Sequence, residues 1–341
     1  MVEDVRLPRA AISFYQPCMS SGAFADLHFT SLGRNSNDII SMDQDGNTVL
    51  YDAAARAVRV MPAPHAPKHS PVSVTVGDGL YLLDRNPEIE YHPFEALVHN
   101  GIDNPYEEKW YWRSLPLPPY AKDDDEDRSA EDKEKNGRQC YQMSGINPYG
   151  IRAYTVVGDS QIWISTVGGG TFSFDTTCSV WSKAGDWALP FYGPAEYAPE
   201  HGLWFGFSSQ GRHFVASDLN AVSATRPPVV VQEWDELAQP LPKQWVPIMA
   251  YLLPLGSGKF YIARIFDMAE EGWCLLKQGM DYKCVDTFVV FTGVEVHRAS
   301  RGVLKMIKHK SRRYSLDCLM AELGTNEELD TLIANIKERT R

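Results

Sequence analysis

Residues 156–175 read VVGDSQIWISTVGGGTFSFD, and this stretch decides the fold class. A short apolar run leads into a tight turn formed by Gly158 and Asp159, and a bulky run, Ile162–Ile164, follows the turn. Glycine and aspartate tolerate the positive φ that short hairpin loops require. A third run ends in an aromatic residue, Phe174, followed by aspartate. The stretch therefore predicts three short antiparallel strands joined by tight turns.

The same pattern recurs along the chain. Apolar strands lead into glycine turns at Gly77, Gly202 and Gly256, and a bulky strand follows each turn. The spacing of the bulky strands is close to one or two propeller-blade lengths, given roughly 40–50 residues per four-stranded blade. The step from Leu203 to Lys259 is longer than one repeat, so the sequence leaves both five and six blades open. The predicted strands form five groups of four, which lie within residues 27–61, 72–115, 153–183, 197–234 and 248–307.

This repetition predicts an all-β chain with the architecture of a β-propeller. Helical periodicity is nearly absent before residue 318. The 9 Trp, 16 Tyr and 14 Phe suit strands and large sheet interfaces. The bulky second strands carry Trp163 and Trp204, and we expect both rings to be buried between neighbouring blades.

Composition and charge narrow the classes of partner. Of the 341 residues 44% are hydrophobic and 23% are charged, as in globular proteins. The net charge of −11 opposes nucleic-acid binding unless a local basic patch overrides it. The sequence has one basic patch, in which basic and apolar residues alternate. This alternation predicts the solvent-facing side of an edge strand. The alternative interpretation is a site for nuclear import or nucleic-acid contact. The patch consists of Lys305, Lys308, Lys310, Arg312 and Arg313.

Cysteine usage and the chain ends indicate the compartment. None of the six cysteines forms a C-x-x-C pair, which argues against a zinc ribbon. The N-terminus has Glu3 and Asp4 and no apolar segment, so a secretory signal is not predicted. No apolar run reaches the roughly 18 residues that a membrane span needs. We expect a cytoplasmic or nuclear protein with reduced thiols, no membrane segment, no metal and no cofactor.

Two segments depart from the β pattern. Residues 122–135 read KDDDEDRSAEDKEK and cannot bury apolar surface, which predicts a disordered acidic insertion. Thr325 and Glu328 form a capping box, and the apolar spacing up to Ile336 predicts an amphipathic helix. This helix either packs on the chain's own flank or docks a partner. The predicted organisation is an N-terminal segment 1–24, a propeller 25–317 with the insertion at 121–138, and a C-terminal helix 318–341.

Longer motifs resemble a known family. Residues 169–175 (GGTFSFD) and 181–191 (WSKAGDWALPF) resemble a kelch-type blade. With residues 199–206 (PEHGLWFG) and 291–296 (FTGVEV), they resemble a kelch-like family expanded in cereal grasses, the domain of unknown function numbered 1668. The resemblance covers about residues 25–315 and implies a kelch-like propeller from a plant, without an established activity. Many plant kelch propellers follow an F-box, and the segment before this propeller is too short for one, which argues against a ubiquitin-ligase adaptor.

The sequence contains no motif that indicates catalysis. The glycines at 168–170 precede a strand, whereas a phosphate loop needs a lysine and a Ser or Thr that open a helix. Glu200 and His201 fall in a predicted hairpin turn, where exposed side chains are expected, and with Glu196 they show no convergence on a metal. No G-x-S-x-G nucleophile elbow is present.

Loops on one face of the predicted propeller are the better place to look for binding, because ligand and partner sites concentrate on loops. These loops follow the second and fourth strands of each group and include residues 61–71, 85–93 and 208–212, together with the segment after Phe266. The candidate binding residues are Lys68, His69, Arg85, Gln210, Arg212 and Asp267, with His65 and His92 in the same loops.

Two functions follow from these residues. The first is a non-enzymatic, monomeric scaffold that binds a protein or peptide through the loops of one face. The second is a propeller hydrolase or lyase that acts on a small molecule at the channel mouth. An enzyme should place carboxylates or histidines with perturbed pKa values in a polar pocket, whereas a scaffold should not.

Overall fold

The structure is a computed structural model, and it describes residues 2–5, 27–33, 38–43, 45–68, 71–85, 92–100, 109–121, 150–235, 241–270, 284–299 and 302–316. The predicted acidic insertion, the predicted C-terminal helix and His69 lie outside the described residues. So does nearly all of the predicted N-terminal segment.

The described chain is nearly all β, which confirms the predicted class. It contains 21 strands and one short 3-10 helix at Pro119–Ala121. The chain divides into two compact units, each made of segments that are not contiguous in sequence. Unit 1 comprises Met1–Phe29, Ala195–Asp218 and Val230–Arg341, and unit 2 comprises Thr30–Pro194 and Leu219–Val229.

Unit 2 contains three sets of four antiparallel strands. Each set follows chain order, so every strand pairs with the strand that precedes it in sequence. The first set is β2 (Leu27–Leu32, which begins in unit 1), β3 (Asp38–Asp43), β4 (Thr48–Asp52) and β5 (Ala57–Met61). The second is β6 (Val72–Val76), β7 (Gly79–Leu83), β8 (Phe94–Asn100) and β9 (Lys109–Ser114). The third is β10 (Ile151–Val157), β11 (Gln161–Thr166), β12 (Thr171–Asp175) and β13 (Val180–Gly185).

Unit 1 contains the remaining strands in two sets. The N-terminal strand, β1 (Val2–Asp4), joins the second of these sets by parallel pairing with its last strand. The first set is β14 (Gly193–Ala198, which begins in unit 2), β15 (Leu203–Phe207), β16 (Phe214–Asp218) and β17 (Val229–Trp234). The second set is β18 (Trp245–Gly256), β19 (Lys259–Ala269), β20 (Cys284–Arg298) and β21 (Leu304–Leu316), and its spatial order is β1-β21-β20-β19-β18.

The five predicted groups of four strands correspond to these five sets, but the strands of the last set are longer than predicted. The sequence suggested strands at 248–253 and 303–307, whereas β18 has 12 residues and β21 has 13. Register shifts at Pro247/Met249 and at Thr292/Val294 let the ladders continue past proline and glycine. Such bulges insert an extra residue without ending the strand, and sequence patterns that treat proline and glycine as breaks miss them.

Aromatic side chains contribute to the cores of both units. In unit 1, Phe205, Phe214, Trp234 and Phe260 form one cluster, and the Phe205 and Phe260 ring centroids lie 4.9 Å apart. Such ring pairs add about 0.5–1.5 kcal/mol beyond their buried area. The predicted burial of the two second-strand tryptophans is confirmed, because Trp163 is 9% exposed and Trp204 is 2% exposed. Trp163 lies in unit 2, where its ring centroid is 5.7 Å from that of Trp187.

Candidate functional site

A fully buried ion pair lies beneath a loop of unit 2. Glu95 is on β8, within four consecutive buried residues, and Lys68 is on the connection between β5 and β6. Both side chains are 0% exposed, and Lys68 Nζ lies 2.5 Å from Glu95 Oε2. Lys68 Nζ also donates to the carbonyl of Ala66 at 2.6 Å. The ammonium group therefore ties the connecting loop to the strand below it.

The Glu95 carboxylate also positions His65. Its Oε1 accepts a hydrogen bond from the His65 backbone N–H at 3.1 Å and contacts Nδ1 of the same residue. Burial acts to raise the pKa of Glu95, but the hydrogen bonds from Lys68 and His65 outweigh it, so that its pKa is lowered. The carboxylate is therefore ionised at neutral pH and compensates the buried ammonium group.

Three exposed polar side chains lie above the ion pair. The side chain of His65 is 47% exposed, and its ring centroid lies 5.5 Å from that of His92. Ser114 Oγ, at the end of β9, lies 3.1 Å from His92 Nδ1 and 3.5 Å from His65 Nδ1. His65, His92 and Ser114, with Glu95 and Lys68, are called the His65–His92 cluster below. Three elements of unit 2 that are distant in sequence supply these groups.

The backbone around the cluster is also fixed. Trp112, on β9, donates from Nε1 to the carbonyl of Pro62 at 2.8 Å, which anchors the start of the loop that carries His65. His92 has a φ of 46°, in the left-handed region that non-glycine residues seldom occupy. Such strained residues persist where the surrounding structure holds them and are frequent at binding sites.

The geometry of the cluster does not match that of a hydrolytic triad. A triad needs the nucleophile and the acid at opposite nitrogens of one imidazole ring. Here Ser114 and Glu95 both approach Nδ1 of His65. What the cluster offers instead is two oriented imidazoles, because within the described residues no hydrogen bond engages the Nε2 atom of His65 or His92. These nitrogens can exchange hydrogen bonds with a bound group.

The structure changes the role expected for two predicted binding residues of unit 2. Lys68 is buried and pairs with Glu95, so it supports the surface and cannot contact a partner directly. Arg85 is half-buried, and its Nη1 donates to the Ile151 carbonyl at 3.2 Å. The backbone N–H of Ile151 in turn donates to the Arg85 carbonyl at 2.9 Å. Both basic residues therefore hold backbone segments together.

The other predicted residues lie in unit 1. Gln210 and Arg212 share the exposed turn between β15 and β16, where the Gln210 carbonyl accepts a hydrogen bond from Ser208 Oγ. Arg212 has a φ of 53°. Asp267, on β19, accepts a hydrogen bond from Thr287 Oγ1 at 2.8 Å. Gln210 and Arg212 thus lie together in one turn, and Asp267 is on a strand of the other set.

The same turn ends in a histidine with two acidic neighbours. His213 Nδ1 lies 2.7 Å from Glu233 Oε1 and 3.1 Å from Asp235 Oδ1. His213, Glu233 and Asp235 are potential metal ligands, and their ligand atoms all lie within 4.8 Å of one another. Within the described parts of the chain, no other group of three meets this distance. Hydrogen bonding between the imidazole N–H and the carboxylates accounts for the arrangement, and Glu233 and Asp235 are exposed.

The predicted exposed turn at Glu200 and His201 is only partly exposed. The Glu200 carboxylate accepts a hydrogen bond from the backbone N–H of Gly258, and His201 Nε2 lies 3.1 Å from the Val296 carbonyl. His201 is half-buried, and Arg298 Nη2 donates to its carbonyl at 2.6 Å. These contacts join the β14–β15 turn to the second set of unit 1, which a local turn pattern cannot reveal.

Glu95 and Ser114 were missed by the sequence analysis. Glu95 stands in the apolar run 93–98 (PFEALV), and a single carboxylate in a buried strand needs a partner. That rule was a signal that could have identified Glu95. Ser114 carries no comparable signal, because a serine at a strand end is common.

Comparisons with known proteins give distant structural likenesses and one family. The chain is similar to the β-propeller domain of Myceliophteria thermophila Cps50 (Swd1), at 12% identity and a TM-score of 0.36, over 82% of this chain and 73% of that one. It is also similar to a protein from Lactobacillus plantarum, at 10% identity and a TM-score of 0.40, over 84% of this chain and 87% of that one. Likenesses this distant say nothing about activity or partners.

The remaining findings concern sequence relatives, membrane spans and the family. No curated protein matches the sequence. Among the described residues, no helix has the length and apolar character needed to cross a membrane. The family model for the proteins of unknown function called DUF1668 matches residues 1–314. The chain therefore belongs to the DUF1668 family.

Proposed function

We propose that this chain is a non-enzymatic module that binds a protein or peptide, and that His65, His92 and Ser114 of unit 2 contact the partner. One observation carries the proposal: the Glu95–Lys68 ion pair is fully buried directly beneath these exposed side chains. A buried ion pair contributes little net stability, because desolvation offsets most of the attraction. Such a pair is better explained as a device that fixes one conformation.

A fixed conformation favours binding. Side chains and loops that must become ordered on association cost about 0.5–1.5 kcal/mol for each immobilised side chain. In the His65–His92 cluster, His65 is already held at its backbone N–H and at Nδ1, and His92 is held through Ser114. Their exposed edges are therefore presented to a partner with little further loss of entropy.

The architecture that we propose is a kelch-like β-propeller. The five sets of four antiparallel strands support it, and the number of blades, five or six, is part of the proposal. A monomer in the cytoplasm or nucleus of a plant cell is the setting expected from the sequence. A hydrolase or lyase is not favoured, because Ser114, His65 and Glu95 lack the geometry of a triad.

Partner capture with matched variants tests the proposal. The full chain would be compared with the double variant H65A/H92A and with the control H99A in affinity purification from plant tissue. His99 is an exposed histidine at the far end of β8, the strand that carries Glu95. We expect H65A/H92A to lose at least one captured protein that H99A retains, with unchanged circular dichroism for both. Identical partner lists for all three proteins would contradict the proposal.

A further inference from the structure

Among the described residues, the last strand of unit 1 has an unpaired edge, called the free edge, over half of its length. β1 pairs in parallel with β21 at three positions only, Val2 with Ser311, Glu3 with Arg312 and Asp4 with Arg313. On the same side of β21, residues 304–310 have no strand partner among the residues that the structure describes. Unpaired backbone N–H and C=O groups along a strand edge are a template for another extended chain.

The free edge is basic. Lys305, Lys308, His309 and Lys310 are all exposed. Among the described residues, one carboxylate forms an ion pair with this stretch. Its atom Glu295 Oε2 lies 3.5 Å from His309 Nε2. Ile307 is 46% exposed between the lysines and adds an apolar contact. In a chain of net charge −11, this concentration of positive charge selects for acidic ligands.

The protein itself shows which kind of strand this edge accepts. β1 is an extended acidic segment with the sequence Val-Glu-Asp. Glu3 Oε2 lies 3.9 Å from Arg312 Nε, and Asp4 Oδ1 lies 3.8 Å from Arg313 Nε. The backbone ladder continues one residue further, because the Val5 N–H donates to the Arg313 carbonyl at 2.9 Å. Backbone pairing and side-chain ion pairs act together at this edge.

We propose that the edge at residues 304–310, called the β21 edge below, binds an acidic, extended segment of a partner protein by strand addition. Main-chain hydrogen bonds supply affinity in this mode, and side chains at alternate positions supply specificity. Exposed lysines on an edge also discourage pairing with identical, equally basic edges, so the charge excludes self-association while it admits an acidic strand. The surface lies in unit 1 and does not involve the His65–His92 cluster.

The test is direct binding of synthetic probes to the full chain, measured by fluorescence anisotropy. The probe is a labelled peptide that alternates glutamate and valine. One control peptide alternates glutamate and proline, which keeps the charge but removes the N–H donors of a ladder. A second control alternates lysine and valine. A labelled single-stranded oligonucleotide tests for nucleic acid instead.

Variants locate the binding site. K305E/K308E reverses two exposed charges of the β21 edge, and K183E/K243E makes the same change in net charge at exposed lysines elsewhere. We expect saturable binding of the glutamate–valine peptide, a loss of at least tenfold in affinity for K305E/K308E, and no more than a twofold change for K183E/K243E. All variants should retain the wild-type circular dichroism spectrum.

Three results would overturn the proposal. They are no binding of the glutamate–valine peptide, equal binding of the glutamate–proline peptide, and oligonucleotide binding that depends on Lys305 and Lys308 while the peptide does not bind. None of these results bears on the partner proposed for unit 2, because none of the probes or variants involves the His65–His92 cluster. Failure of either proposal can thus be recognised separately.

Discussion

The Glu95–Lys68 pair should behave as a single energetic unit, and a double-mutant cycle measures this. Lys68→Met leaves the buried carboxylate with His65 as its one side-chain partner, and Glu95→Gln leaves the ammonium group with the Ala66 carbonyl. Removing one member of a buried ion pair costs about 3–5 kcal/mol. Because domains are stable by roughly 5–15 kcal/mol, each change should remove about a fifth or more of the stability.

The double variant K68M/E95Q should lose less than the sum of the two single changes, because it leaves no uncompensated charge. A coupling energy of about 2–3 kcal/mol is expected, the upper part of the range for residues in direct contact. Lys183→Met is the matched control, because Lys183 pairs with Asp186 at the surface. Exposed pairs contribute roughly 0–1 kcal/mol, so this control should change little.

The pH dependence of the same variants gives an independent check. The pKa of Glu95 is lowered in the folded state from its ordinary value of 4.5. The stabilisation by the ionised carboxylate is therefore fully present above pH 4.5 and is lost as the pH falls through the lower, folded pKa. The stability difference between the wild type and E95Q should therefore shrink as the pH falls below 4.5.

Urea denaturation followed by tryptophan fluorescence and circular dichroism measures these free energies. The reasoning is refuted if either single variant loses less than about 1 kcal/mol, far below the cost of an unpaired buried charge. It is also refuted if the two losses add, since additivity would mean that the side chains do not interact.

Two further predictions concern the cores and a tight turn. Trp204→Ala and Trp163→Ala should each cost about 3–5 kcal/mol by urea denaturation, and a loss under about 1 kcal/mol would contradict the observed burial. Gly258→Ala should cost about 2–4 kcal/mol, because its Cβ would lie 2.4 Å from the Val296 carbonyl oxygen and its φ is 71°. Gly158→Ala, with a φ of 65° and open space around it, should cost only about 1–2 kcal/mol, and equal losses would show that the close contact is unimportant.

The strand framework could be predicted because its signals are local. Gly77, Gly158 and Gly202 all have positive φ, as hairpin turns between short strands require. The long strands of unit 1 could not be delimited, because their continuation past Pro247 and Pro254 depends on bulges that only the pairing with β19 reveals. Local patterns thus give the order of the strands, and long-range pairing decides where they end.

The sequence placed His65, Lys68 and His92 in loops, but it could not show which side chains pair with them. Lys68 was selected as a loop residue available for contact, and it proved to be the buried support of the site. Its partner, Glu95, lies 27 residues further along the chain, and no local pattern links a loop lysine to a strand carboxylate at that distance. The contact of Arg85 could not be foreseen for the same reason, since its hydrogen-bond acceptor, Ile151, lies 66 residues away. Loop position predicts exposure on average, and tertiary pairing overrides it for individual side chains.

The two proposed surfaces differ in the physical origin of their affinity, and salt separates them. The β21 edge attracts its ligand through exposed lysines, whose field is screened over about 8 Å at physiological ionic strength. In the His65–His92 cluster the charged groups, Glu95 and Lys68, are buried and neutralise each other. The groups that the cluster offers to a partner are imidazoles and a hydroxyl. Binding at the β21 edge should therefore weaken steeply with added salt, while binding at the cluster should change little. Partner capture should therefore be repeated at increasing salt with the H65A/H92A and K305E/K308E variants. A partner that is lost with salt and with K305E/K308E binds the β21 edge, and a partner that resists salt and is lost with H65A/H92A binds the cluster.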